Sequence, residues 1–170
     1  TTFFLVGAWV DNYPESVKDI ADKGHDIGNH SNTHPHMTQM SSSDMTKEVE
    51  ECNKKIEEIT GCRPTLFRAP YGDYNNCVQW DVDSLDWKDP TPQQITQNVL
   101  KKLQDGSIIL MHNGAKNTPE ALPMVIEGIK EKGYEIVPIS EILLKGDYYT
   151  DVNGMMCAKE SETTVSENSN

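Results

Sequence analysis

The sequence His30-Ser31-Asn32-Thr33-His34 places two imidazoles four residues apart, on either side of a short polar segment. Two histidines at this spacing can bind one divalent metal ion, because imidazole nitrogen is a good ligand for zinc and for neighbouring transition metals. An isolated pair of this kind is more often part of an ordinary polar loop. Its interpretation therefore depends on the other motifs in the chain.

Three further motifs follow in order, namely Arg68-Ala69-Pro70-Tyr71-Gly72, Asp83-Ser84-Leu85-Asp86-Trp87 and Leu110-Met111-His112. The opening segment, Thr2-Phe3-Phe4-Leu5-Val6, is predicted to be a buried strand. Together with the two histidines, these motifs resemble the polysaccharide deacetylases, which are built on the NodB homology domain and form carbohydrate esterase family four. The resemblance covers roughly residues 1 to 145. The Asp-Ser-Leu-Asp-Trp form resembles the peptidoglycan N-acetylglucosamine deacetylases within the family.

Predicted strands and helices alternate along the chain, which indicates an α/β fold with a parallel sheet. Strands are predicted at residues 2–6, 25–29, 65–67, 78–82, 107–111 and 135–137, and helices begin near Pro14, Ser43, Thr91, Thr118 and Glu141. The resemblance implies a distorted, incomplete (β/α) barrel, whose active site gathers on the loops that follow the strands. We predict a deacetylase domain over residues 1–146 and a polar, mobile tail over residues 147–170.

The composition limits the possible partners. The net charge of −12, from 15 basic and 27 acidic residues, argues against nucleic acid or an anionic membrane surface and is compatible with a glycan. No apolar run approaches a membrane span and no signal peptide is present, so the extracytoplasmic location that we expect rests on the resemblance. We interpret the acidic residues of the predicted second helix as solvated, namely Glu48, Glu50, Glu51, Glu57 and Glu58.

The four cysteines, Cys52, Cys62, Cys77 and Cys157, have no metal-binding spacing, and their pairing stays open. Cys52 falls on the apolar side of the predicted second helix, with Val49, Ile56 and Ile59. We therefore expect Cys52 to be a buried thiol.

The resemblance implies hydrolysis of an N-acetyl group on N-acetylglucosamine units of peptidoglycan or a related polysaccharide. It implies that His30 and His34 bind a divalent metal, with zinc preferred over cobalt or nickel, which activates water and polarises the acetyl oxygen. It implies catalytic roles for His112, Asp86 and Arg68, with His112 protonating the leaving nitrogen and Asp86 orienting its ring. It implies that Tyr71, through its backbone N–H, together with Trp87 and Leu110, binds the substrate.

Two features of the family pattern are missing from this sequence. The Thr-Phe-Asp-Asp-Gly motif, which supplies the catalytic base and the third metal ligand, is absent, and a helix is missing after residue 76. Arg68 therefore lacks its usual acidic partner, although His36 or Asp26 could replace the lost ligand. We interpret the chain as an excerpt of a longer enzyme. A catalytically inactive glycan-binding relative and an O-acetyl esterase remain alternatives.

Overall fold

The described strands form short pairs, of which the first two along the chain are parallel. The first strand, β1 (Thr2–Leu5), pairs with β2 (Asp26–Asn29), and Asn29 continues the pairing through a single bridge to Phe67. A second parallel pair joins β3 (Val82–Asp83) to β4 (Ile109–Leu110). The computed structural model describes residues 1–73, 78–150 and 156–158. Parallel strands connected by helices make this the predicted α/β fold, an incomplete barrel.

Helices connect and cover the strands. They are α1 (Gly7–Asn12), α2 (Pro14–Asp22), α3 (Ser42–Thr60), α4 (Pro92–Leu100), α5 (Thr118–Glu131) and α6 (Ile139–Ile142). Proline in the first turn begins α2, α4 and α5, where its missing N–H costs no intrahelical hydrogen bond. Gly61 ends α3 in the left-handed conformation, with φ 72°. These ends agree with the sequence signals, whereas α1 was not predicted.

The start of α3 differs from the prediction. Its N-cap is Ser41, whose Oγ accepts a hydrogen bond from the backbone N–H of Asp44 at 3.1 Å, rather than Ser43. A helix begins at the residue whose side chain reaches the free N–H groups of the first turn. Three consecutive serines offer the same hydroxyl at three positions, so composition alone does not select among them.

Two apolar clusters form the core. The first cluster lies around β1 and α3 and contains Leu5, Val10, Val17, Cys52 and Ile56. The second cluster lies around β3, α4 and α5 and contains Val82, Ile95, Val99, Ala121, Val125 and Ile129. Cys52 is a free, fully buried thiol, as predicted, and burial raises its pKa to about 11.

Several predicted strands are shorter than their apolar patterns. Only Phe67 of residues 65–67 makes a bridge, and only Val82 of residues 78–82 lies in a strand. Residues 135–137 form no strand in the part of the chain that the structure describes. A strand requires a neighbour to hydrogen-bond with, and an apolar pattern does not report whether that neighbour exists.

The predicted tail contains regular structure. β5 (Tyr148–Thr150) pairs in antiparallel fashion with β6 (Met156–Ala158), within residues 147–170, whose mobility stays a prediction. Residues 159–170 lie outside the described residues. Among the helices described, none is both long and apolar enough to cross a membrane.

Candidate active site

The motif residues gather where the strands end. His30 directly follows β2, and Arg68 follows the bridge at Phe67. Asp86 lies three residues after β3, and His112 lies two residues after β4. Within each pair the strands are parallel, so their carboxyl ends lie side by side. Arg68 and His112 are both close enough to His30 for their charges to act on its imidazole, and Asp86 binds His112. The four residues therefore lie at one rim.

His30 and His34 lie next to each other at this rim. Their ring centroids are 4.9 Å apart with the planes at 76°. Nδ1 of His30 lies 2.7 Å from the carbonyl oxygen of Arg68. Because a carbonyl oxygen only accepts, Nδ1 carries the proton and Nε2 keeps its lone pair. A metal-binding histidine commonly has this arrangement, with its second nitrogen fixed by a backbone carbonyl.

The electrostatics of the site keep both imidazoles neutral. Burial, together with the positive charge of Arg68, lowers the pKa of His30 to about 4. Burial and the same arginine also lower the pKa of His34. The charge of His112 acts in the same direction on both rings, which shows that His112 lies close to the pair. Neutral imidazole is the form that binds a metal.

The loop that carries these histidines has an unusual backbone. Ser31 and His34 have φ values of 65° and 60°, in the left-handed region that costs a non-glycine residue about 1 kcal/mol or more. Ser31 Oγ accepts from the backbone N–H of His34 at 3.0 Å, and Asn29 Oδ1 accepts from the N–H of Ser31 at 2.7 Å. The conformation is therefore held by side chains.

The two histidines suit a divalent metal, but the described residues 1–73, 78–150 and 156–158 contain no group of three His, Cys, Asp or Glu side chains that could hold one. Asp26 lies at the opposite end of β2, about 13 Å away along the strand, and binds Thr2 and the N–H of Ser140. His36 stacks on Tyr71 instead, with ring centroids 3.8 Å apart. The suggestion that either residue supplies the third ligand was therefore wrong.

Asp86 and His112 form a hydrogen-bonded pair. Asp86 is fully buried, and its carboxylate accepts from the backbone N–H of His112, from His112 Nδ1 and from Thr118 Oγ1, each at 2.7 Å. Burial alone would raise the pKa of Asp86, but these hydrogen bonds and the nearby imidazole lower it to about 2. The carboxylate thus stays ionised and fixes the ring, whose side chain is 39% exposed. Nε2 of His112 remains available for a ligand.

Arg68 lacks an acidic partner in the described part of the chain. Its Nε is buried without a hydrogen-bond partner there, and its guanidinium lies 5.0 Å from the centre of the Phe4 ring. Burial lowers the pKa of Arg68 to about 10. The resemblance led us to expect this unpaired cation.

We expect Arg68→Met to stabilise this chain by on the order of 1 kcal/mol, because it removes a poorly solvated charge while keeping an apolar stem against Phe4. Urea unfolding followed by circular dichroism measures the change. Arg68→Lys is the control, since it keeps the charge and should give no gain. A clear loss of stability in Arg68→Met would mean that a carboxylate pairs with the guanidinium.

The three residues expected to bind substrate occupy different environments. Tyr71 has φ 58° and is 59% exposed, and its ring contacts those of His34 and His36. Trp87 is 56% exposed, with the ammonium of Lys88 4.8 Å from its ring centre. Leu110 lies in β4 and is only 6% exposed. Two aromatic rings are therefore open to a ligand, whereas Leu110 belongs mainly to the interior.

The sequence interpretation missed two acidic residues of α3. Glu48 accepts hydrogen bonds from the backbone N–H groups of Asn32 and Thr33, and Glu51 accepts from the Asn32 amide. Both side chains are half-buried, so they bind the loop as well as facing solvent. A usable signal was the spacing of Glu48, Glu51 and Lys55, which places three polar residues on one helix face next to the apolar face.

The chain is similar to proteins of one known family. The family model described as polysaccharide deacetylase matches residues 1–90. Peptidoglycan-N-acetylmuramic acid deacetylase PdaC of Bacillus subtilis is 35% identical over 150 residues, which cover 83% of this chain and 32% of that protein. Peptidoglycan-N-acetylglucosamine deacetylase PgdA of Listeria monocytogenes gives the same identity and coverage. The chain thus spans about a third of the length of these two relatives.

Solved structures of related proteins have a similar fold. The structure of PdaC from Bacillus subtilis superposes with a TM-score of 0.79 at 34% identity, covering 84% of this chain and 75% of that one. A CE4 family pseudoenzyme from Bacillus anthracis superposes with a TM-score of 0.79 at 35% identity, covering 84% of this chain and 54% of that one. A mutant of that pseudoenzyme has restored enzymatic activity. Similar folds in this group therefore include both active and inactive proteins.

Proposed function

The chain belongs to the polysaccharide deacetylase family, and from this premise we propose that it removes N-acetyl groups from N-acetylglucosamine units of peptidoglycan or a related polysaccharide. The observation that carries the proposal is the Asp86–His112 pair, which lies at the same rim as His30 and His34. Related proteins named as peptidoglycan deacetylases support the same reaction class. We assign this role to a domain over residues 1–146.

The proposed reaction needs a proton for the leaving nitrogen. His112 donates it from Nε2, because Nδ1 is held by the buried carboxylate of Asp86. The hydrogen bonds to Asp86 fix the direction of the ring before substrate arrives. The backbone N–H of Tyr71 stabilises the oxyanion that develops on the acetyl carbonyl, and one such donor is typically worth about 3 kcal/mol.

The proposed cofactor is a divalent ion, zinc in preference to cobalt or nickel, bound through the neutral imidazoles of His30 and His34. When bound, such an ion supplies Lewis acidity that activates water and polarises the acetyl oxygen. Tyr71 and Trp87 supply exposed aromatic surface for the sugar, and Leu110 adds an apolar wall. The proposed partner is therefore a glycan, with an extracytoplasmic location.

We expect the purified chain to contain about one zinc per molecule, lost in the double variant His30→Ala, His34→Ala, because the pair of neutral imidazoles is the proposed site. Elemental analysis measures the content without any assumption about substrate. Acetate release from N-acetylglucosamine oligomers and from peptidoglycan then tests the reaction. Acetate release from N-acetylmuramic acid residues instead would mean that this sugar is the substrate. No acetate release from any glycan would refute the proposal that the chain is an enzyme.

A second candidate is a catalytically inactive glycan-binding protein. Two observations favour it, namely the unpaired Nε of Arg68 and the lack of a three-ligand cluster among the described residues. The similar pseudoenzyme from Bacillus anthracis shows that the fold persists without activity. Glycan binding without zinc and without acetate release would favour this candidate. Release from O-acetylated glycans alone would identify an esterase with the same residues.

A further inference from the structure

We propose that Glu48, on helix α3, is a positioning residue that holds the His30 and His34 imidazoles in the arrangement needed for metal binding. The proposal rests on the proposed function, because it concerns the same two histidines. Glu48 does not itself belong to a metal-ligand cluster of the described residues. Its role would be exerted through the backbone of the ligand loop, by which we mean residues 30–34.

Glu48 makes three hydrogen bonds to this loop. Its Oε2 accepts from the backbone N–H groups of Asn32 and Thr33, both at 2.8 Å, and its Oε1 accepts from Thr33 Oγ1 at 2.8 Å. Both carboxylate oxygens are thus used by two consecutive residues. Those residues are the middle of the segment that separates the two histidines, so the carboxylate fixes the part of the backbone that sets their spacing.

The ligand loop needs such support because its backbone is strained at two positions. Ser31 and His34 adopt left-handed conformations without being glycine, and they lie on either side of Asn32 and Thr33. Hydrogen bonds from Asn29 and within the loop hold its beginning and end. Glu48 is the side chain that binds the backbone between them.

Helix α3 is a suitable base for this contact. Cys52 and Ile56 anchor it in the first apolar cluster, and Asn53 binds the Asn29 side chain at 2.8 Å. Glu51 and Lys55 lie on the same helix face as Glu48 and bind the Asn32 side chain at 2.9 and 2.8 Å. These contacts join the loop to a helix anchored in the core, and Glu48 alone among Glu48, Glu51 and Lys55 reaches the loop backbone.

The chemistry of the contact predicts which substitutions are tolerated. Glutamine can keep all three hydrogen bonds, since its carbonyl oxygen accepts both N–H groups and its amide donates to the Thr33 hydroxyl. Alanine keeps none of them. A positioning role therefore predicts rescue by Glu48→Gln, whereas a role for the negative charge predicts that glutamine fails like alanine.

Zinc affinity, measured by competition with a chromogenic chelator, tests this expectation. Glu48→Ala should weaken zinc binding by about 10- to 100-fold, the usual cost of removing support behind a metal ligand, and Glu48→Gln should stay within about threefold of the parent. Glu50→Ala is the matched control, because Glu50 lies two residues away on α3 and pairs with Arg63 instead. It should leave the affinity unchanged. Equal weakening in Glu48→Ala and Glu48→Gln would overturn the proposal.

A second measurement does not require metal. The His30 and His34 rings, 4.9 Å apart, should give a nuclear Overhauser effect in the parent and in Glu48→Gln that Glu48→Ala loses. If the parent binds no zinc, the proposed function fails. The contact between the His30 and His34 rings can still be measured, so the role of Glu48 is still tested. Retention of the contact in a folded Glu48→Ala would refute the positioning role. If Glu48→Ala does not fold, Glu48→Asp takes its place, because a side chain shorter by one methylene cannot keep both hydrogen bonds to the loop backbone. An unaltered ring contact and zinc affinity in Glu48→Asp would refute the positioning role equally.

Discussion

Replacing His112 with alanine is expected to lower the rate of deacetylation by a factor of about 10² to 10⁴, the usual contribution of a positioned general acid. The departing amine nitrogen needs a proton, and Nε2 of His112 is the proposed source. Zinc content should not change, because the proposed ligands are His30 and His34. Acetate release at saturating substrate, with elemental analysis of the same samples, measures both quantities.

His25→Ala is the control for this experiment. His25 precedes β2, at the opposite end of that strand from His30, and its ring packs on Phe3 with centroids 5.5 Å apart. The His25→Ala variant should keep full deacetylase activity. Unchanged turnover in His112→Ala would remove His112 from the mechanism, and a parallel loss of zinc would mean that it acts on the metal site instead.

The second large effect is expected at Asp86, where Asp86→Asn should destabilise the protein by about 2 to 4 kcal/mol and also reduce turnover. The carboxylate accepts three hydrogen bonds at 2.7 Å in a fully buried position. An asparagine amide places a donor where one of these donors now points, which leaves buried groups unsatisfied. Urea unfolding measures the loss. Thr118→Val removes only one donor and should cost about 1 kcal/mol.

The stability that Asp86 supplies should depend on pH. Its pKa in the folded protein is about 2, below the ordinary value of 3.8, so the folded state favours the ionised form. The contribution is therefore complete above about pH 4 and is lost as the pH falls towards 2. A pKa shift of this size contributes on the order of 2 kcal/mol to the free energy of unfolding. The difference in unfolding free energy between the parent and Asp86→Asn should shrink over this range, and a constant difference would contradict the assignment.

The candidate site residues could be proposed from local order along the chain. The motifs ending in His34, Trp87 and His112 are recognisable by residue type and spacing, and each of the two histidine motifs follows a strand of a parallel pair. Helix starts and stops were also predictable where proline or glycine imposes a backbone conformation, as at Pro92 and Gly61. The α/β fold follows from these signals.

What the sequence did not predict depends on contacts between distant residues. Glu48 lies 16 positions from Asn32 and looks like any solvated glutamate until α3 packs beside the ligand loop. The short strands illustrate the same limit, because an apolar pattern at residues 135–137 cannot report a missing neighbour.

The division of the core into two apolar clusters has an evolutionary consequence. His30 and His34 follow a strand that packs on the first cluster, whereas Asp86 and His112 follow strands that pack on the second. The proposed metal site and the proposed proton donor thus depend on different parts of the core. A lineage could lose one of them through substitutions around one cluster while the other cluster continues to hold the fold. A descendant of that kind would still expose the rings of Tyr71 and Trp87 to solvent.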